Sequence, residues 1–500
     1  MRALLTTLFY FSRRRRHVAI WLAGMLAALI VIAAAVSPSS PLEKLNFLVF
    51  DSYQTLSPRA AAESAVLVVD IDDESIRQLG QWPWSRTMLA RMIDRLTEQG
   101  AATIGLDMIL SEPDRTSPSL AVAQLESQGF QVTYPGDGAE LDHDRILAAS
   151  FARSPVVAGL VLAESVTTPP PQPKAGFAFA GDNPSLYLPY YAGSVPNLAV
   201  LDEAAPGIGV FSFPPAFDGV VRRVPMLSRY SNTLYPALSV EALRVAQGAS
   251  SFIVKSTGAS GELATGQPGM TALKVGALEV PTAADSSIWV YYSQKPAAGV
   301  LSAHKLLAAN PDPALLGQIE GRIVLIGTSA IGLRDLVATP LAAGLPGVFV
   351  HAEIIDQILG GTYITRPDWA AGFEIVLAVV VAVGVLAFLP WLSTLANALV
   401  ATLALGLCIA IGWLAFADHA LLLSPILPAL AALLAYGVAS GVRLLLSESE
   451  SRYIRSAFSH YLSPAMVQRL VENPQSLVLG GEDRELTILF CDIRSLTSIS

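Results

Sequence analysis

The chain has 500 residues, 52% of them hydrophobic and only 15% charged, with a formal net charge of −9. Such a composition excludes an ordinary soluble protein, and its acidic balance leaves no basic face to track phosphates, so nucleic acid is not an expected partner. Its two cysteines, Cys408 and Cys491, both come late, so the long middle of the chain has to fold without disulfides.

Residues 1–17 close with four consecutive arginines, Arg13 to Arg16, and His17. Directly after them, Val18–Val36 is an apolar run of about 19 residues, the length of a membrane-spanning helix. The arginines place residues 1–17 in the cytoplasm by the positive-inside rule. Ala33-Ala34-Ala35 ahead of Ser37 also fits a cleavage site, but the run is longer than a leader core, and an uncleaved anchor is the reading adopted. Either way residue 37 onward lies outside.

Residues 37–367 form one long exported domain, large enough for a sizeable core. Val66 to Val69 is a β-branched strand run followed by Asp70, Asp72 and Asp73. Ser85 is placed to cap a helix with Met88, Leu89, Met92, Ile93 and Leu96 on one stripe, stopping at Gly100. Thr103 to Leu106 is a second strand, ending in Asp107. Strand, helix and strand at this spacing predict a parallel pair joined by a crossover. Ile323 to Ile326 reads as another buried strand, and His351 to Leu359 as another helix. The expected fold is α/β with a mainly parallel or mixed sheet.

Asp70, Asp72, Asp73, Asp107 and Asp114 stand at or just past strand ends, where α/β folds place ligand sites. Caps and turns use the same residue type, and that is the preferred reading. Gly327-Thr328-Ser329 follows a strand but lacks the lysine and glycine spacing of a phosphate loop. His351 has no His or Cys partner at metal spacing and reads as packing or capping. No Ser–His–Asp or Cys–His arrangement stands out, so this domain is expected to bind or sense rather than catalyse.

Three further spans follow in quick succession, 373–392, 395–416 and 420–442. Glu374, at the outer edge of its span, reads as a snorkelling interfacial carboxylate. Four crossings return the chain to the cytoplasm, in agreement with Arg443, Arg452 and Arg455. In the segment 443–483, Ile454, Phe458 and Tyr461 share one helix face, suited to pairing in a homodimer or to packing on its own domain. Ser463-Pro464 starts another helix. Gly480-Gly481 marks a turn, and Leu486 to Cys491 is a strand ending in Asp492.

Two resemblances then stand out. Val68 to Asp72, Gly80 to Arg86 through Trp82-Pro83-Trp84, Gly100 to Asp107, Phe217 to Arg222, Ile323 to Gly327 and Gly347 to Ala352 resemble the second type of CHASE sensor domain. That resemblance implies a bacterial extracytoplasmic sensor of an unknown ligand, followed by three spans and a cytoplasmic output domain at the inner membrane. Tyr461 to Pro464, Leu479 to Glu482, Arg484, and Leu489 to Arg494 with Thr497 resemble the entry into a class III adenylate/guanylate cyclase domain, here 484–500. That second resemblance implies a homodimer turning ATP into cyclic AMP and pyrophosphate with two divalent cations, Mg or Mn.

It assigns metal binding to Asp492 and to the carbonyl of Ile493, and triphosphate binding to the backbone of Arg494, Ser495, Leu496 and Thr497. Ser495-Leu496 departs from the Gly-Phe common in that family, which puts the phosphate-loop geometry in doubt. The remaining catalytic residues are expected beyond Ser500, so the 500 residues are expected to be inactive alone and part of a longer protein. The alternative is a non-catalytic membrane sensor whose cytoplasmic stub serves dimerisation or partner binding.

Overall fold

The computed structural model describes residues 2–35, 42–60, 62–133, 138–214, 216–259, 269–333, 336–458 and 487. Helix α1 (Arg2–Ala35) holds a first apolar stretch, His17–Ala35, long enough to cross a membrane. Helix α2 (Leu42–Leu56) follows and is two-faced: Phe50, Tyr53 and Gln54 are buried, whereas Leu45, Leu48 and Leu56 are exposed.

The centre of the domain between the first and second apolar stretches is a seven-stranded sheet. Its first strand, β1 (Val66–Ile71), leads through α3 (Asp73–Leu79) and α4 (Arg86–Glu98) to β2 (Thr103–Leu106). Ser85 caps α4 as its side chain accepts the N–H of Thr87. Helix α5 (His143–Arg153) precedes β3 (Val156–Ala163), and β4 (Gly193–Val195) and β5 (Gly207–Val210) both pair with β3. After α6 (Leu238–Ala246), β6 (Gly299–Ser302) and β7 (Ile323–Thr328) complete the sheet, and α7 (Gly347–Leu359) closes the domain.

The order is β6-β1-β7-β2-β3-β4, parallel throughout except for the antiparallel edge strand β4. Here the expected β1–β2 pair is corrected. The two strands are parallel but not neighbours: β7 lies between them, with Val324 opposite Leu67 on one side and Ile104 on the other. The crossover carries two helices, α3 and α4, which gives it the reach to pass over an intervening strand.

Both faces of the sheet are covered, which is why β1 and β7 read as unbroken apolar runs rather than alternating ones. Leu67, Val69 and Ile71 of β1 join Val324 and Ile326 of β7 in one core, against Leu89, Met92, Ile93 and Leu96 of α4 and Leu147 and Phe151 of α5. Val66, Val68, Ile323 and Leu325 point the other way, toward Val240 and Leu243 of α6, Ile354 and Ile355 of α7, and a second, four-stranded sheet that contributes Phe252, Val254, Leu273 and Val275.

Helices α8 (Trp369–Phe388), α9 (Thr394–His419) and α10 (Ile426–Phe458) carry three more stretches long and apolar enough to cross a membrane, the last at Ile426–Glu448. The last helix begins at Ile426 and not at Ala420. Ala420 takes a left-handed φ of 52°, and Ala420 and Leu422 exchange backbone hydrogen bonds with Thr365 at 3.0 and 2.8 Å. Pro425, lacking an N–H, then marks the entry into α10.

Among the described residues the chain forms two compact units, one of 2–34, 378–405 and 430–458, the other of 42–377 and 406–429. Within the first, a Cβ on Gly24 of α1 would come within 2.7 Å of Leu386 and 3.0 Å of the Ala435 carbonyl. Glycine thus lets α1, α8 and α10 approach closely, the small-residue packing usual between membrane helices. Asn397 donates to the carbonyls of Leu389 and Leu392, and Arg443 to that of Leu389, satisfying backbone acceptors just past the end of α8.

Candidate functional site

Of the carboxylates singled out in the sequence, Asp70, Asp72, Asp73 and Asp114 are committed to holding loops. Asp70 accepts the N–H and the hydroxyl of Ser329 at 3.0 and 2.6 Å, tying β1 to the turn after β7. Burial pushes its pKa up. Asp72 caps α3 by accepting the Ser75 N–H at 2.7 Å and takes the Ser302 hydroxyl at 2.6 Å. Burial works against its ionisation, yet these bonds outweigh it and hold its pKa below the ordinary value. Asp73 accepts the Ile331 N–H, and Asp107 is buried just past β2.

Asp114 is the most heavily bonded. It accepts the N–H groups of Arg86 and Thr116 at 2.7 and 2.8 Å, the hydroxyls of Thr116 and Ser85 at 2.7 and 3.2 Å, and stands 3.0 Å from Nδ1 of His143. Burial raises its pKa, but the bonds to Arg86, Thr116 and His143 prevail and bring it down to about 2. Ser85, His143 and Asp114 are brought together, but both Ser85 and Asp114 approach the same nitrogen, Nδ1, so no proton relay can run through the ring.

Gly327 has a packing reason: a Cβ there would sit 2.5 Å from Cβ of Val348, so glycine lets α7 lie against β7. His351 is fully buried, with Nε2 donating to the Phe211 carbonyl at 3.1 Å and its ring 4.8 Å from that of Phe213. Burial lowers its pKa to about 4, so it packs as a neutral ring. Asp492, Ile493, Arg494, Ser495, Leu496 and Thr497 lie outside the described residues. Among the described residues, no group of three or more His, Cys, Asp or Glu side chains could hold a metal ion.

The sensor is fastened to α2 by a second set of polar contacts. The extended segment Trp289–Tyr292 has its backbone read alternately from two sides. Gln54 of α2 donates to the Val290 carbonyl and accepts the Tyr292 N–H, while Gln357 of α7 donates to the Trp289 carbonyl and accepts the Tyr291 N–H. Both glutamines are fully buried and stand in for missing neighbour strands. Around them pack Phe50, Tyr53, Trp289, Tyr291, Trp413 and Phe416, with Phe50 and Trp289 ring centroids 4.6 Å apart.

Glu374 belongs to this junction, which corrects its expected snorkelling role. It is 6% exposed and takes both guanidinium arms of Arg366 at 2.9 Å. It also accepts the Ser424 N–H at 2.7 Å, and the Ser424 hydroxyl donates to Asn46 of α2. A forked cation and a backbone N–H satisfy the carboxylate, so it can afford to leave water.

Beside α2 lies a pocket of about 300 Å³. Phe47, Val220, Pro189, Pro214 and Pro225 give it apolar walls, and Arg222, Arg223, Asp285 and Ser287 give it one polar side. Arg222 is buried and doubly held: Asp51 of α2 binds it through two oxygens at 2.7 Å, and Asp218 binds it at 2.8 and 2.9 Å. Burial opposes its charge, but those bonds dominate and lift its pKa above the ordinary value. Its guanidinium lies 4.6 Å over the Phe47 ring. Arg223 instead donates to Asp285 at 3.0 Å and to Ser287, with its guanidinium 5.0 Å over Trp289.

A family model described as the CHASE2 domain matches residues 26–388, well over half of the chain. The chain belongs to the CHASE2 family. No curated protein and no solved structure matches it. With its four apolar helices it is a multi-pass membrane protein carrying a CHASE2 signalling sensor.

The structure gives physical reasons for the CHASE2 landmarks. Gly80, at a φ of 100°, turns the chain so that its carbonyl accepts Nε1–H of Trp84 at 2.9 Å, and Trp82 packs edge-on against Trp84 at 5.4 Å. Gly219, at a φ of 76°, makes the turn that lets Asp218 reach Arg222. Sequence reasoning noticed Phe217 to Arg222 only as a landmark. It missed Phe47, Asp51 and Asp285, which lie far in the chain from Arg222 and Arg223, although adjacent arginines inside an apolar stretch were a signal.

Proposed function

We propose that this CHASE2 protein is a receptor-type class III nucleotide cyclase, its sensor outside the inner membrane and its output inside, working as a homodimer on ATP. One observation carries the reading. The 33-residue helix α10 leaves the last apolar stretch and continues without a break to Phe458, three residues before the cyclase-like string that starts at Tyr461. At 1.5 Å per residue such a helix is about 50 Å long, enough to cross a bilayer core and project well beyond it. Arg13 to Arg16 before the first span support a cytoplasmic N-terminus, and if all four apolar helices cross, Asp492 would lie on that same side.

In this reading the 3′-oxygen of ATP attacks the α-phosphorus and pyrophosphate leaves. Asp492 and the Ile493 carbonyl would hold divalent cations, which lower the pKa of the attacking hydroxyl and stabilise the departing charge. The N–H groups of Arg494 to Thr497 would hold the triphosphate.

The test is cyclic AMP formation by membranes bearing the full-length gene product, with Mg or Mn. Wild type should form cyclic AMP and Asp492→Ala should fall to background at equal expression. Activity retained in Asp492→Ala removes that residue from its role. A silent wild type removes the cyclase and leaves a receptor whose cytoplasmic segment binds a partner.

A further inference from the structure

We infer that the pocket beside α2 binds a small carboxylate with an apolar or aromatic body, its acid group paired with Arg223. The size fits: about 300 Å³ is at the small end of ligand pockets and takes a molecule of about ten heavy atoms. The walls fit too, since Phe47 and three prolines offer rigid apolar surface that loses little entropy when covered.

The charge argument separates the two arginines. Arg222 is already over-neutralised by Asp51 and Asp218 and buried beneath Phe47, so an incoming acid gains nothing from it. Arg223 is differently placed. Its side chain is 35% exposed, its carboxylate partner Asp285 is 45% exposed, and its buried Nε has no hydrogen-bond partner among the described residues. An ion pair this open to water is worth little and exchanges easily.

Asp285 also has local partners that survive such an exchange. It accepts the Ser287 N–H at 3.1 Å and the Ser287 hydroxyl at 2.6 Å. A ligand carboxylate can therefore take over Arg223 without leaving Asp285 unpaired. Trp289 under the guanidinium keeps the fork in place while its partner changes. The occupied pocket would press on Phe47, one turn before Asp51 on the helix that follows the first span.

The consequence for signalling rests on the receptor reading above, but binding does not. It is measured without cyclic nucleotide, so failure of either leaves the other standing. The probe is phenylacetate, with phenylacetamide as its uncharged counterpart, titrated by calorimetry into the full chain in detergent micelles. Phenylacetate should bind saturably at one per chain, and the amide at least about tenfold more weakly, the loss expected when a charge-assisted bond is removed.

Arg223→Gln should weaken phenylacetate at least about tenfold and Phe47→Ala about fivefold. Asp285→Asn should tighten it severalfold, because it removes the competing carboxylate. That last variant keeps the site's packing and carries the opposite sign, so misfolding cannot imitate it. Equal binding of acid and amide, weaker binding in Asp285→Asn, or no saturable binding at millimolar phenylacetate would each overturn the proposal.

Discussion

The carboxyl edge of the central sheet and the pocket beside α2 draw on the same residue types, carboxylates beside arginine, serine or aromatic rings, but are wired in opposite ways. At the edge, Asp114 accepts bonds from its own loop, from the Ser85 cap and from α4 and α5, and Asp70 and Asp72 are similarly spent on Ser329, Ser75 and Ser302. Beside α2, Arg222 is locked but Arg223 is held by one partly exposed pair. A row of acids at strand ends is thus a set of fasteners here, and the exchangeable charge lies elsewhere.

The strongest way to break this contrast is Arg222→Ala. Removing a buried cation leaves Asp51 and Asp218 facing each other and strips the cover from Phe47. Because both acids keep some access to water, the loss should be about 2–4 kcal/mol rather than the full cost of an orphaned buried charge. Urea unfolding of the sensor followed by tryptophan fluorescence reads it. A loss below that of an ordinary surface substitution would mean that α2 is not fastened through this residue.

Much of the fold was legible because it obeys short-range rules. The stripe from Met88 to Leu96, the Ser85 cap and the apolar runs of β1 and β7 all follow from spacing. The place of β7 between β1 and β2 was not legible, because register across more than two hundred residues leaves no local trace. Glu374 was misread for a related reason: Ser424, whose N–H it accepts, lies 50 residues away, and the Ser424 hydroxyl is held in turn by Asn46, a further 378 residues from Ser424. The pocket is the extreme case, drawing Phe47, Pro189, Val220, Arg223 and Asp285 together from four separate stretches of chain. The strand end at Asp492, read from spacing and resemblance, lies outside the described residues.

A smaller effect is expected at the edge. Asp114 ionises at about 2 in the fold against an ordinary value of 3.8. Its ionised form therefore stabilises the native state fully above pH 3.8, and that contribution fades as the pH falls through 2. Asp114→Asn keeps one acceptor oxygen and loses the other, which should cost about 1–2 kcal/mol at neutral pH. Between pH 4 and 2 the gap between variant and wild type should narrow. A gap that stays constant over that range would assign the stabilisation to another group.

The smallest effect sharpens the comparison most. Asp285→Asn removes a charge from an ion pair, as a substitution at Arg222 or Asp114 also would, yet stability should move by no more than about 0.5 kcal/mol. Asparagine can still accept the Ser287 N–H and hydroxyl through its carbonyl oxygen, so the turn that carries the residue is preserved. Arg223 keeps its seat on Trp289 and its bond to Ser287. What changes is only the competition for its guanidinium, which costs the folded chain little because water already reaches both partners. Thermal unfolding of the variant in detergent would show it. A loss of about 2 kcal/mol or more would put Asp285 in the same class as Asp114, and the distinction between fastened and exchangeable charge would fail where it is most exposed to test.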